Sequence, residues 1–166
     1  MNLSLDDFGV LQNTLQTTEI QAVIDKAAEL GGLTVTIPRG TYITGTLNLK
    51  NASLYLEKGA VLKGSDNWAD YRANGFRHNE MHDTISLIYC MNEADVSICG
   101  QGTIDMNASA FYNMDEPNIP DDAHSYSGQQ KAECPRTYAH RPSQPIFFFG
   151  CRHVKIEGII LRNAPC

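Results

Sequence analysis

The chain has 166 residues, of which 42% are hydrophobic and 19% are charged, so it is long and apolar enough to bury a core. Its net charge is −6 at pH 7 and it has no basic run, which argues against a nucleic-acid partner and against an anionic membrane surface. No apolar run approaches the roughly 20 residues of a membrane span, and no secretory leader is visible. We therefore expect a cytoplasmic protein, or a secreted one if a leader has been removed.

One helix is predicted near the start of the chain, over about residues 17–31. Apolar residues recur there at helical spacing: Ile20, Val23, Ile24, Ala27 and Ala28. Thr18 and Gln21 match a capping box, and Gly31 with Gly32 would end the helix. A single amphipathic helix ahead of stacked strands is expected to cover the open apolar end of the first coil.

Residues 33–64 predict a succession of short β-strands. Pairs of apolar residues alternate with turn-forming residues throughout this stretch, LTVTIPRGTYITGTLNLKNASLYLEKGAVLKG. Each strand is too short to bury a core with one partner, and no helical period supplies the crossovers of a βαβ fold. The pattern predicts an all-β fold in which the chain coils on itself, a β-solenoid with an N-terminal capping helix.

The sequence contains an internal repeat. Residues 96–100 (VSICG) and 154–158 (VKIEG) share the pattern apolar, polar, apolar, polar, Gly. Each is preceded by an apolar strand, at residues 87–90 and 146–149, and by a polar corner. Degenerate repeats of this kind are typical of stacked coils.

A long loop is predicted over about residues 106–144, which contain four prolines and few apolar runs. Loops of this length are either functional or disordered. Their aromatic residues (Phe111, Tyr112, Tyr126 and Tyr138) favour an ordered loop beside a cleft.

Cysteine and histidine side chains predict neither a metal site nor a cofactor. The five cysteines (Cys90, Cys99, Cys134, Cys151 and Cys166) are odd in number and lack ligand-like spacing, so we expect free thiols; a disulfide or a metal is the alternative. The histidines at positions 78, 82, 124 and 153 also lack such spacing and are expected at the surface.

Three groups of acidic residues are candidates for catalytic carboxylates. Asp121 and Asp122 form a tempting pair, but they lie in a proline-bounded loop, whereas catalytic pairs need rigid placement. Asp6 and Asp7 are expected in a turn. Asp105 ends a strand, where its carboxylate would accept backbone N–H bonds, a structural role.

Three consecutive phenylalanines, residues 147–149, are expected in the core stack and not as a sugar platform. Successive residues of a strand point to opposite sides, and a rung of a solenoid buries one of those sides.

Taken together, the segments GGLTV, IPRGTY, LYLEKGAVL, GQGTID and LRNAP resemble, in this order, the opening of polygalacturonase-type glycoside hydrolases of family 28. The resemblance covers nearly the whole chain. It implies a right-handed parallel β-helix and inverting hydrolysis of galacturonate-containing pectin without a cofactor. Two segments depart from the family pattern: residues 10–15 replace a glycine-rich acidic loop, and residues 105–108 (DMNA) replace Asp-Gly-x-Gly.

The catalytic segments of that family are missing from this sequence. The tripeptides Asn-Thr-Asp, Gly-His-Gly and Arg-Ile-Lys do not occur, and Asp-Asp occurs only in the N-terminal turn and in the long loop. We therefore expect residues 1–166 to be the N-terminal coils of a longer enzyme, inactive alone, with the catalytic residues downstream. Within these coils Arg141, with His140 and Tyr138, is expected to contact substrate, because a guanidinium matches a galacturonate carboxylate in fork geometry.

Two other functions remain open. One is another β-helix polysaccharide enzyme, either a pectate lyase or a tailspike-type depolymerase, and the other is a non-catalytic glycan-binding β-helix. In each case the partner is a pectic or related saccharide. A truncated last rung would also leave an open apolar edge that favours self-association.

Overall fold

The computed structural model describes residues 2–77, 83–111, 142 and 144–164. These residues form one α-helix, thirteen short strands and three 3₁₀ turns. The elements are β1 (Asn2–Ser4), α1 (Thr17–Glu29), β2 (Thr34–Ile37), β3 (Gly40–Thr44), β4 (Leu47–Asn48), β5 (Ser53–Leu56), β6 (Ala60–Gly64), β7 (Ala73–Arg77), β8 (Asp83–Met91), β9 (Ser97–Gly100), β10 (Thr103–Asp105), β11 (Gln144–Phe149), β12 (Lys155–Glu157) and β13 (Ile160–Arg162). The prediction of a mainly β chain with one N-terminal helix is confirmed.

The strands form three parallel sheets that the chain visits in rotation. The first sheet has the order β1-β2-β5-β9-β12, the second β3-β6-β10-β13 and the third β4-β8-β11. From β2 onward, each strand passes to the next sheet of the three, and every pairing within these sheets is parallel. The exception is β7, which pairs antiparallel with β8.

The internal repeat predicted from the sequence is confirmed by the strand register. Ile98 of β9 lies opposite Ile156 of β12, as the alignment of the two segments requires. Gly100 has a φ of +130°, and a Cβ placed there would lie 2.0 Å from the carbonyl oxygen of Leu56 in β5, the neighbouring strand. At the equivalent position of the second repeat segment, a Cβ on Gly158 would lie 2.3 Å from the carbonyl oxygen of Gly100. Glycine recurs there because the neighbouring backbones approach too closely for a side chain.

Helix α1 packs the apolar stripe predicted from the sequence. Ile20, Val23, Ile24 and Ala27 are fully buried. Burial of each larger aliphatic side chain contributes about 1.5–3 kcal/mol. The helix contacts β1, β2, β3 and β4, which include the first strand of each sheet.

The predicted capping box is wrong. The helix begins at Thr17, so that Gln16 holds the N-cap position, and its side chain makes no capping hydrogen bond. Gln21 instead donates from Nε2 to the carbonyl oxygen of Asn48 (2.9 Å) and accepts at Oε1 from the Asn48 N–H (2.8 Å). The amide of Gln21 therefore fastens the helix to β4.

The core is built from all three sheets. Its largest fully buried side chains are Tyr42, Leu5, Ile20, Ile24, Ile37, Leu47, Leu49, Leu54, Leu56, Leu62, Leu87 and Ile88. Within the described part of the chain, no helix has both the length and the apolar character needed to cross a membrane.

Candidate functional site

Two long intervals separate consecutive strands of the three sheets, and the strand that follows each interval belongs to the third sheet. The first interval, residues 65–82, contains a 3₁₀ turn (Trp68–Asp70) and β7 and is followed by β8. The second interval, residues 106–143, includes the predicted long loop, most of which lies outside the described residues, and is followed by β11, the neighbour of β8. Because β8 and β11 are parallel, both strands begin at the same edge of the third sheet.

The outer face of this sheet carries a row of aromatic side chains. Tyr89 of β8 lies in register with Phe147 of β11. Phe149, two residues further along β11, is 42% exposed. Phe148, which lies between Phe147 and Phe149 in the chain, packs against the core. Phe76 of β7 lies over this row, with its ring centroid 5.3 Å from that of Phe147 and 4.5 Å from that of Phe149. We call Phe76, Tyr89, Phe147 and Phe149 the aromatic face.

The aromatic face corrects the interpretation of the three phenylalanines. Strand alternation places Phe148 in the core, as expected, but it directs Phe147 and Phe149 to the opposite side, against Phe76. Phe149 is the exposed ring of this face, whereas Phe76, Tyr89 and Phe147 are half-buried. An exposed aromatic ring presents a flat apolar surface, which suits the C–H face of a ligand that also offers hydrogen-bonding groups at its rim. Sequence reasoning missed Phe76, because β7 has no alternating pattern.

Asp105 is the one carboxylate that is buried among the described residues. Its Oδ2 accepts from Nε of Arg162 (2.9 Å), and its Oδ1 accepts from Nδ2 of Asn163 (2.9 Å) and from the Asn107 N–H (2.9 Å). Burial by itself would raise the pKa of Asp105, but these hydrogen bonds and the charge of Arg162 outweigh it and hold the pKa below its ordinary value. A carboxylate kept ionised in this way joins β10 to β13 and is a poor proton donor, which agrees with the structural role expected from the sequence.

A depression of about 280 Å³ lies at the N-terminus of α1, and no residue of the aromatic face lines it. Glu19 and Asp70 line it beside Arg72. Two carboxylates against one guanidinium make this depression unfavourable for an acidic ligand.

The three residues expected to contact substrate, Tyr138, His140 and Arg141, lie outside the described residues. The same holds for Asp121 and Asp122. Along the chain, the first three come shortly before β11, the strand that carries Phe147 and Phe149. Their placement beside the aromatic face is therefore an expectation from chain order.

Five other residues named in the sequence analysis lie outside the described residues: His78, His82, His124, Cys134 and Cys166. The remaining candidates are surface or structural groups. Asp6 and Asp7 lie in a 3₁₀ turn (Leu5–Phe8), as expected. His153 is largely exposed and its Nδ1 lies 3.1 Å from Oδ1 of Asp95. The described cysteines, Cys90, Cys99 and Cys151, are free thiols, and no group of three or more potential metal ligands is found in the part of the chain that the structure describes.

No protein-family model and no curated protein matches this chain. Several solved structures do match it. A provisionally assigned glycosyl hydrolase from Parabacteroides merdae is 27% identical with a TM-score of 0.73, and the match covers 99% of this chain and 67% of that one. The family 28 exopolygalacturonase of Yersinia enterocolitica is also 27% identical, with a TM-score of 0.72, over 99% of this chain and 35% of its own.

Two further structures share the fold at lower identity. An exopolygalacturonase from Thermotoga maritima is 22% identical with a TM-score of 0.73, and 42% of its chain is covered. PfbA, a surface adhesin of Streptococcus pneumoniae, is 23% identical with a TM-score of 0.61, and 33% of its chain is covered. The chain therefore has a polygalacturonase-type fold, and it spans well under half the length of the two exopolygalacturonases.

Proposed function

We propose that this chain forms the N-terminal coils of a polygalacturonase-like glycoside hydrolase that acts on galacturonate-containing pectin by inverting hydrolysis. The observation that carries this proposal is the match of 99% of the chain to a family 28 exopolygalacturonase and to a glycosyl hydrolase, each at 27% identity. The resemblance of the sequence segments to the same family supports it independently.

The proposed architecture is a right-handed parallel β-helix. Three parallel sheets visited in rotation are the arrangement that such a coil requires, and right-handed connection of parallel strands is the strong general preference. Helix α1 would close the N-terminal end of this coil.

The opposite end of the described coils supports the proposal that more coils follow. Strands β12 and β13 lie at the ends of their sheets, and Val154, Ile156, Ile160 and Leu161 are 38–56% exposed. A solenoid normally covers such apolar side chains with a further coil or a cap. We therefore propose that another coil of the same polypeptide packs here, and that self-association substitutes for it when that coil is missing.

We place the acid and base of hydrolysis on those later coils. Inverting glycosidases need two carboxyl groups about 6.5–9.5 Å apart, one of which must be able to give up a proton. Asp105 is ionised and already accepts three hydrogen bonds, so it is not suited to that role.

The proposed contribution of these coils to substrate binding is one wall of the cleft, made by the aromatic face and the end of the long loop. Phe147 and Phe149 would pack against the C–H face of a galacturonate ring. Arg141 would pair with its carboxylate, with His140 and Tyr138 close by.

A glycan-binding β-helix without catalysis is the second candidate. It is favoured by one observation, that the one buried carboxylate of the described coils is committed to structure. The lyase and depolymerase alternatives would require later coils of a different chemistry.

The test has two parts. First, the chain of 166 residues and the full product of its gene are each incubated with polygalacturonate, and new reducing ends are measured. We expect hydrolysis by the full product only. Hydrolysis by the 166-residue chain would contradict the downstream placement of the catalytic residues, and unsaturated products that absorb in the ultraviolet would indicate a lyase.

Second, binding of galacturonate oligomers to the 166-residue chain is measured by calorimetry. Phe147→Ala and Phe149→Ala should each weaken binding by about tenfold or more, the scale of a lost aromatic contact. Phe8→Ala is the matched control, because Phe8 is 49% exposed but lies in the N-terminal 3₁₀ turn. Equal losses in all three variants would refute the aromatic face as the binding surface.

A further inference from the structure

Two cysteines of adjacent coils meet beneath the aromatic face. Cys90 lies in β8, with its side chain fully buried in the core. Cys151 lies in the corner after β11, the neighbouring strand, and it is partly buried against the core. The two Sγ atoms are 3.7 Å apart, although 61 residues separate them along the chain.

Their surroundings hold both thiols in place. Cys90 donates from Sγ to the carbonyl oxygen of Lys50 (2.9 Å) in the preceding coil. The Sγ of Cys151 lies 3.4 Å from the carbonyl oxygen of Cys90 and 3.5 Å from that of Phe149. Cys99, the third described cysteine, lies in β9 of a different sheet. Among the three described cysteines, Cys90 and Cys151 are thus the two whose sulfurs meet.

We propose that Cys90 and Cys151 form a disulfide bond that joins two adjacent coils when the protein meets a low-molecular-weight disulfide such as oxidised glutathione. A disulfide requires an S–S distance of about 2.05 Å. The two sulfurs must therefore approach each other from their present distance of 3.7 Å. Rotation of the Cys151 side chain provides that movement, because Cys151 lies in a corner and not within a strand.

The reaction proceeds in two exchange steps. The thiolate of Cys151, which solvent reaches, attacks one sulfur of oxidised glutathione, forms a mixed disulfide and releases one glutathione thiolate. Cys90 then attacks Sγ of Cys151, and its proton passes to the second glutathione thiolate, which leaves as a thiol. In sum, two cysteine thiols are oxidised and one glutathione disulfide is reduced to two glutathione thiols.

The order of the two steps follows from burial. Burial, together with the neighbouring Cys151, raises the pKa of the Cys90 thiol to about 12, so Cys90 is a poor starting nucleophile. Cys151 therefore reacts first and Cys90 completes the bond slowly. Once formed, the bond ties β8 to the corner of β11, the two strands that carry Tyr89 and Phe147.

The first test is peptide mapping of the 166-residue chain after equilibration with oxidised glutathione. Trypsin leaves Cys90 and Cys99 on one peptide, because the sequence has no Lys or Arg between Arg77 and Lys131. Additional cleavage after Glu93 separates them. We expect a cross-linked species that contains Cys90 and Cys151 and lacks two hydrogen atoms relative to the two free peptides.

The second test is the melting temperature of oxidised and reduced protein. A disulfide that closes a loop of this length should raise the melting temperature by roughly 5–15 °C. The rise in melting temperature should disappear in Cys151→Ala and persist in Cys99→Ala. We choose Cys151 for substitution because it is less buried than Cys90, so its truncation should disturb the fold less. A stable glutathione adduct, a cross-link to any other cysteine, or an unchanged rise in Cys151→Ala would overturn the proposal.

Discussion

Replacement of Asp105 by Ala should destabilise the fold by about 2–4 kcal/mol. The substitution removes the acceptor of three hydrogen bonds, from Arg162, Asn163 and the Asn107 N–H. A hydrogen bond to a charged group contributes about 1.5–3 kcal/mol, and a buried donor left without a partner costs about 1–3 kcal/mol. The guanidinium of Arg162 is 53% exposed and regains water, so its share is discounted and the sum of the individual values is an upper bound.

The effect should also depend on pH in a defined direction. The pKa of Asp105 is lower in the folded protein than its ordinary value of 3.8, so the ionised group stabilises the fold at pH values above about 4. That stabilisation is lost as the pH falls through the folded-state pKa. The stability difference between the wild type and Asp105→Asn should therefore be constant from about pH 5 to 8 and become smaller below about pH 4.

The assay is urea unfolding at low protein concentration, followed by circular dichroism and by fluorescence of Trp68. Asp95→Asn is the matched control, since the pair of Asp95 with His153 also bridges two coils but both side chains are about 80% exposed. The control should change stability by less than about 0.5 kcal/mol. If Asp105→Ala is as stable as the wild type, or the control loses as much, the reasoning about the buried carboxylate is refuted.

Three further predictions concern the packing of the coils. Gly100→Ala should lower the free energy of unfolding in urea by at least about 3 kcal/mol, because its Cβ would meet the Leu56 carbonyl oxygen. Gly31→Ala is the control: Gly31 has a positive φ but open space around it, so the loss should be only about 1–2 kcal/mol. Equal losses would contradict the close approach of the backbones. Gln21→Ala should lower the free energy of unfolding by about 1–3 kcal/mol, because it removes two hydrogen bonds to β4. Amide hydrogen exchange should become faster at β4 in particular; an equal increase in all strands would indicate a general loss of stability instead. Ile156→Lys should reduce self-association of the 166-residue chain in sedimentation experiments, and an unchanged sedimentation profile would argue against the exposed edge as the contact.

The parts of the fold that could be predicted from sequence are those with a local period. The apolar stripe of α1 and the alternation in β2 to β6 are encoded within a few residues, and the repeat from Val96 to Gly100 carries its own register. The start of the helix near residue 17 was also predicted, but the capping box was wrong, because Thr18 and Gln21 satisfy the capping pattern while tertiary contact with Asn48 decides what Gln21 binds.

The aromatic face could not be predicted in the same way. Phe76 lies on β7, whose sequence (ANGFR) has no strand period and whose conformation depends on pairing with β8. Likewise, the approach of Cys90 to Cys151 depends on the register of β8 with β11, which the spacing of the cysteines along the chain does not reveal. The identity of the buried carboxylate was accessible, because Asp105 ends a strand of the Gly-Thr-Ile-Asp segment.

The rotation of strands through three sheets has a consequence for how the protein folds during synthesis. In each sheet the pairing partner of a new strand has already been made: Thr34 of β2 precedes Ser53 of β5, and Ile98 of β9 precedes Ile156 of β12. After β4, no strand of the three parallel sheets must wait for a segment that the ribosome has yet to deliver. The two long intervals before β8 and β11 add little entropic cost, since the cost of loop closure grows only logarithmically with length. The chain can therefore assemble from its N-terminus onward, with α1 in contact with the first strand of each sheet while later strands are added.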